Sequence, residues 1–254
     1  SNLKSNNQKI AKKYLNSLLN ITNKNKKKEL FKSKKFPSIY QNKLLIDLEE
    51  TRNHKLILDK SISIKEVKKI YKLLNKLEKY LGKEWFNLIK VIKFMTIIKI
   101  KTKSNTNNFS GTSTNSLGAI HFCKPFTEIK LLECVTHEAS HIWLDRLECS
   151  GLELAKNGWT QNKFRSPWRD DKRPISGIIH AVYVFSKVCI YLIKYYKKTK
   201  NLNALRRIIY LSSKINSGLN ILKKCDSIYP LGKKVNNISH NYYKEIYRFV
   251  QQQV

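Results

Sequence analysis

Residues Thr136-His137-Glu138-Ala139-Ser140-His141 set two histidines four apart around a glutamate, inside a stretch whose apolar residues recur at helical spacing. Side chains at i and i+4 leave a helix on one face, a turn apart, so His137 and His141 can both reach a single divalent ion. Such an HExxH pattern makes a zinc hydrolase when Glu138 serves as base on a metal-bound water, and it makes other metal chemistry when the remaining ligands differ.

The third ligand therefore matters. The extended form HExxHxxGxxH is not met, because Leu144 stands where the glycine belongs and Leu147 where the third histidine belongs. No glutamate occurs between Glu153 and Glu245, which leaves Glu153, Asp170, Asp171 and His180. His180 is the best of these. It lies in the apolar run Ile178-Ile179-His180-Ala181-Val182, where an imidazole among buried neighbours needs a partner, and an ion shared with His137 and His141 would supply one.

Just upstream, Arg165, Arg169 and Arg173 recur every four residues in a chain where only eight of 50 cations are arginine. The planar guanidinium grips a carboxylate through two parallel hydrogen bonds, which lysine cannot do. A required carboxylate contact is one reading of the cluster, and pairing with Asp170, Asp171 or nearby helix ends is the other.

These segments together resemble the HExxH-motif peptide-modification family, the iron- and 2-oxoglutarate-dependent peptide β-hydroxylases linked to ribosomally made, modified peptides. The resemblance runs from His137-Glu138-x-x-His141 through Ser166-Pro167-Trp168-Arg169-Asp170-Asp171-Lys172-Arg173-Pro174 to Gly177-Ile178-Ile179-His180-Ala181-Val182-Tyr183-Val184-Phe185. It implies Fe(II), 2-oxoglutarate as co-substrate, molecular oxygen as oxidant, and hydroxylation at a β-carbon of a precursor peptide. His137, His141 and His180 would then hold the metal, a departure from the usual pair of histidines with one carboxylate. Arg173 is the first candidate for the distal carboxylate of 2-oxoglutarate and Arg169 the second. Glu138 points about 100° away from His137 around the helix, which suits an acid ordering water or peptide better than a third ligand. Trp168 and Tyr183 are candidate pocket walls.

The elements that must position these residues give an α+β fold, predominantly helical, with a small β-sheet beside the metal helix. Up to about residue 92 the pattern reads as helical, most clearly at 64–81, where Val67, Ile70, Tyr71, Leu74, Leu77 and Leu81 share a face. Residues 94–101 and 117–122 read as strands, 104–116 as a polar loop, and Thr127 as the cap of the metal helix. Helices are expected at 175–196, 202–223 and 236–252. The division expected is a helical portion over 1–92 and a metal-binding catalytic portion over 93–254.

The formal charge of +32 is largely lysine spread along the chain with many Asn and Ile, a bias that an AT-rich genome imposes on any protein. It argues against dedicated nucleic-acid binding and for unspecific attraction to acidic peptides, including an acidic leader of the precursor. The run Lys24-Asn25-Lys26-Lys27-Lys28 reads as a solvated loop. Five cysteines without zinc-ribbon or CxxC spacing read as reduced thiols of a cytoplasmic protein. No apolar N-terminal run resembles a secretory signal, and Ser176, Gly177, His180, Ser186 and Lys187 interrupt the apolar segment 175–193, so a buried helix is expected there rather than a membrane span. Nothing in the sequence specifies an oligomeric state.

The functional expectation is an Fe(II)- and 2-oxoglutarate-dependent peptide β-hydroxylase. The alternatives are a zinc metallopeptidase with Glu138 as general base, and a basic helical binding protein whose metal site is structural.

Overall fold

Ser63 and Glu66 open the first long helix with a reciprocal capping pair, the Glu66 N–H donating to Ser63 Oγ at 3.2 Å and the Ser63 N–H donating to Glu66 Oε2 at 2.7 Å. The computed structural model describes residues 29–31, 36–40, 56–58, 62–100, 110–112, 117–124, 127–161 and 163–253. The lysine run at 24–28 lies outside the described residues.

In chain order the elements are β1 (Glu29–Phe31), β2 (Ser38–Tyr40), β3 (Leu56–Leu58), α1 (Ile64–Ile89), β4 (Phe94–Ile100), β5 (Ser110–Gly111) and β6 (Ala119–Cys123). They continue with α2 (Glu128–Cys149), β7 (Phe164–Arg165), β8 (Lys172–Arg173), α3 (Ile175–Thr199), α4 (Leu202–Lys223) and α5 (Pro230–Gln251). The fold is α+β and predominantly helical. The first 92 residues are not wholly helical, because β1, β2 and β3 precede α1.

The chain divides into two compact units, residues 1–74 with 90–126, and residues 75–89 with 127–254. Each draws on both sides of residue 92. The first holds a sheet in the order β1-β2-β4-β6-β5, with β3 also on β4. Its centre is β4, parallel to β6 from Phe94↔Ala119 to Ile98↔Cys123 and parallel to β2 at its start. All five residues of β6 are buried, as befits a strand flanked by neighbours and covered on both faces.

The second unit is helical. α3 contacts α2, α4 and α5, which explains why it is apolar around most of its circumference. It is the one helix among the described residues long and apolar enough to cross a membrane, and 78% of its most apolar window is buried inside the protein. The Thr127 side chain accepts from the Lys130 N–H and starts α2, while Asn201 accepts from the N–H groups of Asn203 and Ala204 and starts α4. Within α1, Gly82 takes φ 77° and ψ −173°, and the helix kinks there. Beyond the kink, the Trp85 indole N–H donates to Thr136 Oγ1 at 3.0 Å, both residues fully buried, which pins α1 to α2 at the residue just before His137.

Candidate metal centre

Along α2, His137, His141, Asp145 and Glu148 follow one another at i, i+4, i+8 and i+11, a stripe of metal-capable side chains on one face. α3 brings His180 against that stripe. His180 Nδ1 stands 3.1 Å from His141 Nδ1, and His180 Nε2 stands 2.8 Å from Glu148 Oε2. The His137 and His141 rings meet edge to face with centroids 4.8 Å apart, and the His141 and His180 rings lie 5.4 Å apart.

The three sequence-expected ligands therefore adjoin one another in a row, with His141 in the middle. The row continues at both ends through aromatic neighbours. Phe185 sits edge-on to His137 at 4.9 Å and stacks on Trp168 at 5.0 Å, while Trp159 meets His180 edge-on at 5.0 Å. Trp168 lies behind Phe185, with its ring edge against Gly218 of α4, and meets the histidines only through Phe185. Tyr183 is associated with α5 instead, its phenol pushed up to about 12 by burial and then by Tyr242.

Electrostatics keep the first histidine neutral. Burial, with the charge of Arg207 adding to it, pushes His137 down to about 4, so its ring is an imidazole rather than an imidazolium at pH 7. Arg207 is held on α4 by a two-pronged contact, its Nε 3.0 Å from each carboxylate oxygen of Glu133. Burial of Glu133 raises its carboxyl, and the guanidinium pulls the other way. Glu138 is 2% exposed, an enclosed carboxyl on the helix side next to the histidine stripe.

The 3.1 Å separation of the His141 and His180 Nδ1 atoms is that of a hydrogen bond between the rings, and it also fits a shared divalent ion, because two nitrogens each about 2.1 Å from one ion and at right angles to it stand about 3.0 Å apart. His180 carries a carboxylate on its other nitrogen, as metal-bound histidines commonly do. Among the described residues, the one group of three metal-capable side chains whose ligand atoms fall within 4.8 Å of one another is Asp145, Glu148 and His180; His137, His141 and His180 do not close to that distance as a set. Sequence reasoning missed Asp145 and Glu148. Their signal was present, since both continue the helical face of His137 and His141.

The arginines part company. Arg169 is on the surface, 59% exposed, with its Nε donating to Asp171 Oδ1 at 2.7 Å, and that contact holds the Asp171 carboxyl below its ordinary range. Arg173 is half-buried on β8, which pairs with β7 in the register Phe164↔Arg173 and delivers it to the start of α3. Its Nε lies 3.6 Å from where a Cβ on Gly177 would stand, one turn before His180, and its Nη1 is 3.7 Å from Asp171 Oδ2. Pairing with Asp171 accounts for Arg169 and for part of Arg173.

The segment between α2 and β7 is fixed at both sides. Tyr229 N–H donates to Leu154 O at 2.9 Å, and Ser176 N–H in the first turn of α3 donates to Gly158 O at 3.0 Å. A Cβ at Gly158 would fall 2.0 Å from Ser176 Oγ, so only glycine permits this approach. The next residue is Trp159, whose indole N–H donates to Glu148 Oε1 at 2.8 Å.

No protein-family model matches the chain, and no functionally curated protein matches it in sequence.

Proposed function

We propose that the protein is an Fe(II)- and 2-oxoglutarate-dependent hydroxylase acting on a β-carbon of a ribosomally made precursor peptide. The observation that carries the reading is the convergence of His141 and His180, from two separate helices, to 3.1 Å between ring nitrogens, with His137 adjacent. His137, His141 and His180 would hold the metal. When bound, the ion with its keto acid and oxygen supplies the oxidising power for a C–H bond, which no protein side chain has.

The chain's own residues do the rest. Burial keeps His137 neutral and able to donate its lone pair at physiological pH. Arg173, half-buried at the entrance to α3, offers a guanidinium for the distal carboxylate of 2-oxoglutarate. Glu138, enclosed beside the histidines, orders water or a peptide group through hydrogen bonds. Phe185, backed by Trp168, covers the His137 end of the row and Trp159 the His180 end, apolar neighbours that limit water. A high positive charge favours a precursor with an acidic leader.

The test is turnover in air with Fe(II) or Zn(II), following succinate from 2-oxoglutarate with and without candidate peptides. Iron-dependent succinate and a peptide heavier by one oxygen are expected. Peptide cleavage with zinc and no succinate with iron would overturn the reading in favour of a metallopeptidase with Glu138 as general base.

A further inference from the structure

We propose that Glu148, steadied by Trp159, fixes the ring tautomer of His180 and so turns its Nδ1 lone pair toward His141. Glu148 is a positioning residue on this view, and the inference rests on the metal-centre reading above. Both carboxylate oxygens are engaged by N–H groups: Oε1 accepts from the Trp159 indole at 2.8 Å, and Oε2 meets His180 Nε2 at 2.8 Å. An ionised carboxylate only accepts, so the proton in the second contact belongs to His180 Nε2. A neutral imidazole with its proton on Nε2 has its lone pair on Nδ1, where it accepts from His141 Nδ1–H at 3.1 Å in the metal-free protein; an ion held by both nitrogens would displace that proton.

The same geometry favours one side of His180 for an ion: a proton must leave on either side, and the one on Nε2 is held by the Glu148 carboxylate while the one on His141 Nδ1 is held only by the His180 ring. One imidazole offers a given ion one nitrogen. With Nε2 protonated toward Glu148, the Asp145 and Glu148 side has no lone pair from His180, and the His141 side has it. Glu148 then acts on the metal through the ring rather than by direct contact. His180 is 2% exposed and wedged between His141 and the Trp159 edge, so the ring has little freedom to seek another arrangement.

Two measurements on the full chain test this. The first is ¹⁵N NMR of histidine-labelled, metal-free protein. His180 is expected as the Nε2–H tautomer in the wild type, with a mixed or reversed tautomer in Glu148→Ala. The second is Co(II) titration followed by visible absorption. Glu148→Ala should weaken Co(II) binding by about 10- to 100-fold while the band positions stay those of the wild type. Glu148→Gln keeps an acceptor for His180 Nε2–H and should recover most of that loss. Glu148 lies in the last turn of α2 with its side chain 16% exposed, so the near-isosteric Gln variant tests the idea even if Ala perturbs folding.

An unchanged His180 tautomer and unchanged Co(II) affinity in Glu148→Ala would overturn the proposal. So would new band positions with both variants, since Glu148 would then be a ligand itself. Wild-type protein that binds no Co(II) would instead end the metal reading, and the tautomer in the metal-free protein would still decide the role of Glu148.

Discussion

Acid should weaken the sheet unit through one residue, His121. It lies in β6, opposite Thr96 of β4 and Gly111 of β5, fully buried. Burial pushes it down to about 4 from the ordinary histidine value of 6.5. Above pH 6.5 neither folded nor unfolded chain protonates this ring, and it adds no pH dependence. Between 6.5 and about 4 the unfolded chain takes up a proton that the folded chain refuses, so stability falls as pH falls through that window and levels off below it. A gap of about 2.5 pH units corresponds to about 3 kcal/mol at pH 4. The perturbation is His121→Leu, similar in volume and unable to titrate. Whatever fixed cost the substitution carries, the stability difference between wild type and variant should shift by about 3 kcal/mol toward the variant on going from pH 7 to pH 4. Hydrogen exchange at the amides of β4 and β6, or urea unfolding at both pH values, reads that difference. A difference that does not change with pH would refute the reasoning.

Thr136→Val strips the acceptor from the buried Trp85 indole and should cost about 1–3 kcal/mol in urea unfolding, part of it recovered by adding Trp85→Phe. Gly158→Ala drives a methyl into Ser176 Oγ and should destabilise by about 1–3 kcal/mol, with the His180 resonances shifting because Trp159 is displaced; a wild-type melting temperature would show that the loop yields freely. Arg173→Ala should leave Co(II) binding intact while raising the KM for 2-oxoglutarate by about 10- to 100-fold, the worth of one charge-assisted contact, measured as succinate formed.

Periodicity carried the helices well where one face is buried. The expectation of 202–223 matches α4, and Thr127 caps α2 as read from its position before the apolar run. α5 starts at Pro230, earlier than 236, because the first turn is stabilised by a proline at its N-terminus rather than by apolar spacing. β7 and β8 were invisible because two residues cannot display alternation, yet this hairpin is what delivers Arg173 to α3. Ser110–Gly111 escaped from within a polar loop for the same reason. At the site, the HExxH spacing and the apolar surroundings of His180 are local patterns; the fold sets His180 3.1 Å from His141, while the three-membered group it closes is Asp145, Glu148 and His180. Glu148 and Trp159 depend on the docking of the segment after α2 onto His180, which is tertiary geometry that no local pattern encodes.

The contact between His141 and His180 joins points 39 residues apart in the chain. An ion gripping both would act as a removable staple, closing a ring that contains Trp159, Trp168 and Arg173. A permanent cross-link across a ring of that length takes about 4 kcal/mol of freedom from the unfolded chain. Metal supply would then govern how long the helical unit survives heat and proteases as well as whether it can react, and a chelator would expose the segment 142–179 to cleavage before the sheet unit.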